Sequence, residues 1–168
     1  MKKLFFCIFD VDGVLTNGQF FYDSKKKKYK IFGPDDNDML KILNKFCKII
    51  FVTADKKGFE ISKRRIQIDM GFKLKLVSNK TRLDWLNENF NLKEIIYMGD
   101  SYFDIPIAKK VGTFIAPLNA DYNLKKKATF VTKVGGGNRS VSEACRFILI
   151  KFFNLSDTQI LKIHYNQS

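Results

Sequence analysis

A chain of 168 residues is long enough for one domain with a sizeable buried core, and we expect residues 1–168 to form a single domain. Hydrophobic residues make up 45% of the chain and aromatic residues 14%, a composition that excludes an extended disordered protein. No apolar run approaches the roughly 20 residues that a membrane helix needs, so we expect no membrane partner.

The formal net charge of +13 raises the question of a nucleic-acid partner. The lysines are dispersed, however, except for the runs Lys25–Lys28 and Lys125–Lys127, which are typical of solvated turns and helix ends. We therefore expect no nucleic acid to bind, and we interpret the charge as an attraction for anionic substrates. Processing of nucleic-acid ends is an alternative that rests on the charge alone.

The three cysteines, Cys7, Cys47 and Cys145, form no CxxC pair and lie within apolar segments. Such cysteines are typical of a reducing compartment, so the sequence favours a cytoplasmic location.

Short apolar runs alternate with amphipathic stretches along the chain. Strands are predicted over 4–9, 48–52, 73–77, 95–98, 113–115 and 129–131. Helices are predicted near 36–46, 57–70, 80–90, 103–111 and 139–153. This alternation predicts an α/β fold: a Rossmann-like parallel sheet with helices on both faces. One segment departs from it, because residues 19–22 and 29–32 read as a β-hairpin flap after the first strand. The remaining gaps are too short for a cap domain.

Asp10 and Asp12 follow directly on the first apolar run. Two carboxylates at the exit of a buried strand oppose each other's ionisation, and a divalent cation such as Mg²⁺ resolves that conflict. Gly13 gives a tight exit turn with free backbone N–H groups, which is typical of a phosphate site. The alternative is an Asx turn that only caps the strand.

Polar side chains also follow the other predicted strands. Thr53 follows the strand at 48–52, Lys80 begins the helix after the strand at 73–77, and Asp100 and Asp104 follow the strand at 95–98. In an open α/β sheet, ligands bind at the carboxyl ends of the strands, so we expect these groups to meet at one edge. Each has an ordinary explanation alone, and their joint occurrence favours a functional site.

Four motifs stand in order: DxDGxLT at 10–16, an apolar residue and threonine at 52–53, Lys80, and GDxxxD at 99–104. In these motifs the chain resembles the haloacid dehalogenase-like phosphatases. It is most similar to the capless branch that includes 3-deoxy-manno-octulosonate-8-phosphate phosphatase and the phosphatase-like domain of acylneuraminate cytidylyltransferase. Further similarities are DGVLTNG, the hairpin, VGTFIAPLNA and the glycine-rich segment at 135–137.

The chemistry of phosphoryl transfer and the resemblance imply the same roles. Asp10 is the nucleophile that forms an aspartyl-phosphate, and Asp12 is the general acid and base. Asp10, Asp100 and the backbone carbonyl of Asp12 hold Mg²⁺, while Thr53 and Lys80 bind the phosphate oxygens. The chain is thus expected to be a phosphoric monoester hydrolase.

Asp104 completes the expected metal set and positions Lys80 or a metal-bound water. The alternative is an acid that only complements a helix dipole. Asp10, Asp12, Asp100 and Asp104 are together the candidate metal residues.

The resemblance implies a 2-keto-3-deoxy sugar acid phosphate as substrate, of the 3-deoxy-manno-octulosonate 8-phosphate or acylneuraminate 9-phosphate type, in surface-polysaccharide sugar synthesis. Two segments depart from the family pattern: Thr53-Ala54-Asp55 replaces the usual Thr-Gly-Arg or Thr-Gly-Glu, and the arginine of the glycine-rich segment is displaced to Arg139. The alternatives are another small sugar phosphate and a catalytically idle phosphatase-like module. The candidate substrate-binding residues are Thr53, Ala54, Asp55, Arg64, Arg65 and Lys80.

A capless site is open to solvent, and the resemblance implies that a neighbouring subunit closes it within a homotetramer. The apolar hairpin residues Phe20, Phe21, Tyr22 and Phe32 are suited to such an interface, the alternative being that they pack on their own core. The apolar tail after Ser156 is a second segment that could reach a neighbour's site.

Overall fold

The computed structural model describes residues 6–166, apart from the side chains of Lys27 and Lys28. Leu4 and Phe5 of the first predicted strand lie outside the described residues. The strands are β1 (Phe6–Asp10), β2 (Thr16–Tyr22), β3 (Lys27–Phe32), β4 (Lys48–Thr53), β5 (Lys73–Leu76), β6 (Ile95–Met98), β7 (Thr113–Ala116) and β8 (Phe130–Val131). The helices are α1 (Asp36–Leu43), α2 (Phe59–Lys63), α3 (Arg82–Asn89), α4 (Ile105–Ala108), α5 (Tyr122–Lys125), α6 (Ser140–Phe153) and α7 (Asp157–Tyr165).

Six of the strands form one parallel sheet in the order β5-β4-β1-β6-β7-β8. β1 lies at its centre, with Asp10 opposite Val52 of β4 and Phe9 opposite Met98 of β6. β2 and β3 pair separately as an antiparallel hairpin in which Phe20 lies opposite Lys30. The predicted α/β fold with a hairpin after the first strand is confirmed, and residues 6–166 contain no separate cap.

The core has a layer on each face of the sheet because successive side chains of a strand point in opposite directions. Cys7 and Phe9 of β1 pack with α1 and α6 on one face, whereas Ile8 packs with α3 and α5 on the other. β1 is therefore buried on both sides, as its uninterrupted apolar sequence predicts.

The helix boundaries differ from the predictions in ways that affect the site. α3 begins at Arg82, so Lys80 lies in the preceding turn and not in the helix. α2 is short and continues as wider helical turns over Arg64–Asp69.

The tail forms a helix that the sequence analysis did not predict. The side chain of Ser156 accepts a hydrogen bond from the backbone N–H of Gln159, and the Gln159 side chain accepts one from the backbone N–H of Ser156, which together begin α7. Ile160 is buried and Ile163 packs against the same core, so this part of the tail covers its own subunit. Leu161 remains exposed. None of the helices described over residues 6–166 is long and apolar enough to cross a membrane.

Candidate active site

The turn after β1 brings the two aspartates of the first motif to the carboxyl edge of the sheet. It spans Val11–Leu15, and Gly13 adopts φ +87°, a conformation that side chains disfavour. A Cβ at Gly13 would overlap the carboxylate of Asp100, so glycine is required for that close approach. The Asn119 amide donates a hydrogen bond to the Gly13 carbonyl (3.0 Å), which anchors the turn from the loop after β7.

Three carboxylates converge beside this turn. Oxygen atoms of Asp10, Asp100 and Asp104 all lie within 4.8 Å of one another. Burial, with the charges of Asp10 and Asp104 nearby, raises the pKa of Asp100 to about 8. Burial and the charge of Asp10 likewise raise the pKa of Asp104 to about 7, and the Arg82 guanidinium opposes this rise. Burial also raises the pKa of Asp10. Added positive charge would favour the ionised form of all three carboxylates.

The acidic cluster fits a divalent cation. Its donor set is all oxygen, which is the chemistry that Mg²⁺ and related hard cations select. Burial and, to a smaller extent, the neighbouring carboxylates raise the pKa values of Asp100 and Asp104, and a divalent cation bound here would oppose both effects. The carboxylate of Asp12, by contrast, lies outside this cluster.

Arg82 is the cation that the structure places next to the nucleophile candidate. Its side chain is 2% exposed, and its Nη1 lies 3.2 Å from Oδ1 of Asp10 and 3.8 Å from Oδ1 of Asp104. Nη1 also donates to the hydroxyl of Tyr97 (3.2 Å), and Nη2 donates to the carbonyl of Val77 (3.3 Å). Burial lowers the pKa of Arg82, but Tyr97 and the two aspartates outweigh it, so its net pKa is raised.

The structure places Arg82, and not Lys80, next to Asp10. The side chain of Lys80 is exposed, and it is not among the residues that line the site cavity. The physical reason is the start of α3: Lys80 belongs to the turn before the helix, whereas Arg82 is its first residue and points inward. The phosphate-binding role of Lys80 stays a prediction, and Arg82 is a second cation of the same segment that the structure places at the site.

Asp12 is held by a second buried cation, Lys30 of the hairpin, which the sequence analysis did not identify. The Lys30 ammonium lies 2.8 Å from Oδ1 of Asp12 and donates a hydrogen bond to Oδ2 at 3.0 Å. The Thr53 hydroxyl donates to the same Oδ2 (3.1 Å), so the predicted site residues Asp12 and Thr53 are in direct contact. Thr53 is itself buried at the end of β4.

An open cavity of about 380 Å³ lies over these groups. Phe20 of the hairpin forms part of its wall, together with Ala54 and Asp55 from the second motif. The residues that line it are Asp10, Asp12, Phe20, Ala54, Asp55, Asn79, Arg82, Asp100 and Ser101. The cavity therefore combines carboxylates, the Arg82 guanidinium and an aromatic wall, an arrangement suited to a small polar anion that binds with a cation.

The other predicted substrate-binding residues divide into two groups. Asp55 lines the cavity, but its Oδ1 accepts the N–H of Gly58 and its Oδ2 pairs with Lys30 at 2.9 Å, so the carboxylate is already engaged. Arg64 is exposed and pairs with Asp69, while Arg65 is half-buried, and neither lines the cavity.

Comparison with known proteins places this site in a family. The family model described as haloacid dehalogenase-like hydrolase matches residues 80–137. The 3-deoxy-D-manno-octulosonate 8-phosphate phosphatase of Haemophilus influenzae is 30% identical over 154 residues, which cover 89% of this chain and 84% of that protein. The chain belongs to the haloacid dehalogenase-like hydrolases. It is a hydrolase of phosphate monoesters, as the sequence motifs predict.

Two solved structures extend the similarity of this haloacid dehalogenase-like hydrolase. A probable YrbI family phosphatase from Pseudomonas syringae is 26% identical, with a TM-score of 0.81 and coverage of 96% of this chain and 94% of that one. The cobalt-bound deoxy-D-mannose-octulosonate 8-phosphate phosphatase of Haemophilus influenzae is 28% identical, with a TM-score of 0.74 and coverage of 88% of each chain. The resemblance to the capless phosphatase branch is thereby confirmed.

Proposed function

We propose that this chain is a Mg²⁺-dependent phosphomonoesterase that works through an aspartyl-phosphate on Asp10. The observation that carries the proposal is the pairing of two carboxylates two residues apart with two different buried cations. Asp10 contacts Arg82 and the acidic cluster, whereas Asp12 contacts Lys30 and Thr53. Neighbouring carboxylates in such different surroundings are suited to different roles.

The chemistry assigned to these residues has two steps. In the first, a carboxylate oxygen of Asp10 attacks phosphorus while the bond to the leaving oxygen breaks, and Asp12 gives its proton to that oxygen. In the second, Asp12 takes a proton from a water molecule that attacks the phosphorus of the aspartyl-phosphate, which releases inorganic phosphate and restores Asp10. Arg82 is placed to bind phosphate oxygens in both steps because it lies beside Asp10 and lines the cavity.

Asp10, Asp100 and Asp104, with the backbone carbonyl of Asp12, are the groups that would hold Mg²⁺. A bound divalent cation supplies charge neutralisation that lets an anionic carboxylate approach an anionic phosphate. The oxygen-only cluster and its raised pKa values support this assignment.

The proposed substrate is a 2-keto-3-deoxy sugar acid phosphate, of the 3-deoxy-manno-octulosonate 8-phosphate or acylneuraminate 9-phosphate type, in surface-polysaccharide sugar synthesis. The similarity to the Haemophilus influenzae phosphatase over most of both chains supports it. Ala54 and Asp55, which line the cavity, and Thr53, which precedes them, are the proposed contacts to the leaving sugar. Arg64 and Arg65 would contact substrate only from a neighbouring subunit, because neither lines the cavity of its own chain.

A panel assay tests this function. Purified protein is incubated with p-nitrophenyl phosphate, both sugar acid phosphates and glucose 6-phosphate, with Mg²⁺ or with EDTA. The proposal predicts EDTA-sensitive hydrolysis with the highest kcat/KM on one of the two sugar acid phosphates. Highest activity on glucose 6-phosphate would contradict the substrate class, and no hydrolysis of any ester would favour an idle module.

We further propose that the chain acts as one domain in a cytoplasmic homotetramer. Phe21, Tyr22 and Tyr29 are exposed on the hairpin, which supports an apolar contact between subunits. Cys7, Cys47 and Cys145 are buried free cysteines, which suits a reducing compartment.

A further inference from the structure

The hairpin supplies a buried charge to the site as well as an aromatic wall. Lys30 lies at the middle of β3, and its side chain is 0% exposed while the flanking residues Tyr29 and Ile31 are exposed. A buried lysine is costly unless it is paired, so the ammonium needs compensating partners inside the protein.

Lys30 has three such partners. Its ammonium contacts both carboxylate oxygens of Asp12, lies 2.9 Å from Oδ2 of Asp55, and donates to the hydroxyl of Ser62 at 2.8 Å. Its Nζ also lies 5.5 Å from the centre of the Phe20 ring, which covers it from the hairpin side. The three donors of the ammonium thus have partners on three different segments of the chain.

These contacts fix the orientation of Asp12. Oδ2 accepts hydrogen bonds from Lys30 and from Thr53, and Oδ1 faces the same ammonium without a hydrogen bond of good geometry. Among the residues that the structure describes, the Thr53 hydroxyl is the other side-chain donor to this carboxylate. A general acid misplaced by about 1 Å can lose roughly 100-fold in rate, so this orientation matters for catalysis.

We propose that Lys30 is a positioning residue for the acid/base chemistry of Asp12, and that Ser62 and Asp55 act on the reaction by holding Lys30 in place. The inference rests on the proposed phosphomonoesterase function and adds the hairpin to its catalytic apparatus. We assign no phosphate contact to Lys30, because its side chain is fully buried and is not among the residues that line the cavity.

Leaving-group dependence separates this role from a general structural one. A poor alkoxide leaving group needs the proton of Asp12, whereas p-nitrophenolate leaves without one. The value of kcat/KM reports the reaction up to and including formation of the aspartyl-phosphate, so it is sensitive to this proton transfer. Lys30→Met should lower kcat/KM on an alkyl phosphate by about 100-fold or more, and on p-nitrophenyl phosphate by less than about 10-fold. Ser62→Ala should show the same pattern with smaller losses.

Two further variants complete the test. Lys26→Met, at an exposed lysine of the same hairpin, should leave both values unchanged. In an Asp12→Asn background, Lys30→Met should add no more than about a 3-fold further loss, since it acts through the group already removed. Circular dichroism and thermal melting of each variant check the fold, and Ser62→Ala carries the test if Lys30→Met does not fold.

The outcomes distinguish the role of Lys30 from the proposed phosphomonoesterase function on which it rests. Three outcomes would overturn the role of Lys30 and leave the phosphatase assignment intact. They are an equal loss of kcat/KM on both esters, full additivity of the Lys30→Met and Asp12→Asn losses, and no loss of kcat/KM from Lys30→Met. Absence of any ester hydrolysis by the wild-type protein would contradict the proposed function, and the role of Lys30 with it.

Discussion

The guanidinium of Arg82 lies 3.2 Å from the carboxylate of Asp10, although the two residues are 72 positions apart in the chain. The contact joins the first residue of α3 to the last residue of β1, at the centre of the carboxyl edge of the sheet. Asp104 approaches the same guanidinium from the loop after β6. Arg82 therefore holds the nucleophile candidate in place and reduces the repulsion within the acidic cluster.

Arg82→Ala should lower kcat/KM by about 100-fold or more, because one preorganised donor at a developing charge is worth that much. Arg82→Lys should recover part of the loss, since it keeps the charge without the fork of donors. Lys80→Ala, at the exposed position two residues earlier, is the matched control and should stay within about 2-fold of wild type. A large loss for Lys80→Ala with little for Arg82→Ala would reverse the assignment.

Mg²⁺ binding should weaken as the pH falls from 8 to 6. The pKa values of Asp100 (about 8) and Asp104 (about 7) are raised, so the cation must displace protons in this range. We expect the apparent affinity to fall about tenfold per pH unit for each proton displaced. Isothermal titration calorimetry at three pH values, in buffers of different ionisation enthalpy, measures the affinity and the proton release. A constant affinity without proton release would contradict this account.

Asp36 should make the fold less stable as the pH rises. Burial between α1 and α6 raises its pKa to about 6, although its Oδ1 accepts the N–H of Ser142 at 2.8 Å. Because the folded-state pKa exceeds the unfolded one, its contribution is fully present below about pH 4 and is lost as the pH passes 6. The free energy of unfolding should fall by at most about 3 kcal/mol over that range.

Asp36→Asn removes this titration, so its melting temperature relative to wild type should rise between pH 4.5 and pH 8. Asp38→Asn, at an exposed acid of the same helix, should show no such trend. If the difference between Asp36→Asn and wild type does not change with pH, Asp36 is not the group responsible.

The hairpin should mediate assembly into a homotetramer. Light scattering should give about four times the 19.5 kDa mass of the chain. Phe21→Ser combined with Tyr29→Ser, at side chains 55% and 67% exposed, should yield smaller species, whereas Ile68→Ser, at an exposed site away from the hairpin, should not. The hairpin variant should also lose more activity on a sugar acid phosphate than on p-nitrophenyl phosphate. A monomeric wild-type protein with full sugar phosphatase activity would exclude this role.

The site residues that the sequence predicts are those that lie at or directly after the end of a strand. Asp10, Thr53 and Asp100 each follow an apolar run, and parallel strands deliver such residues to one edge regardless of loop detail. The α/β fold follows from the same alternation of apolar runs and amphipathic stretches. Arg82 was not predicted, because the side chain that this segment turns toward the site depends on where α3 begins, which sequence patterns locate only within a few residues.

Lys30 and α7 were missed for different reasons. In β3 Lys30 is buried while its neighbours Tyr29 and Ile31 are exposed, the reverse of the usual alternation, so a hydrophobicity pattern could not reveal the buried lysine. The one indication in the sequence was the position of Lys30 between two apolar residues, in a hairpin that follows the DxD turn. For α7 the signal was present: Ser156 followed by Gln159 is a capping box ahead of an apolar stripe.

The central claim is that Asp10 is the nucleophile of a metal-dependent phosphomonoesterase. The most direct test compares the Mg²⁺-dependent turnover of Asp10→Asn with that of the wild-type protein, on p-nitrophenyl phosphate and on a sugar acid phosphate. Melting curves of the two proteins check the fold. The account predicts hydrolysis by wild type and a loss of at least about 1,000-fold in kcat for the variant on both esters, with the fold retained. An Asp10→Asn protein that keeps more than a few per cent of wild-type turnover would contradict it.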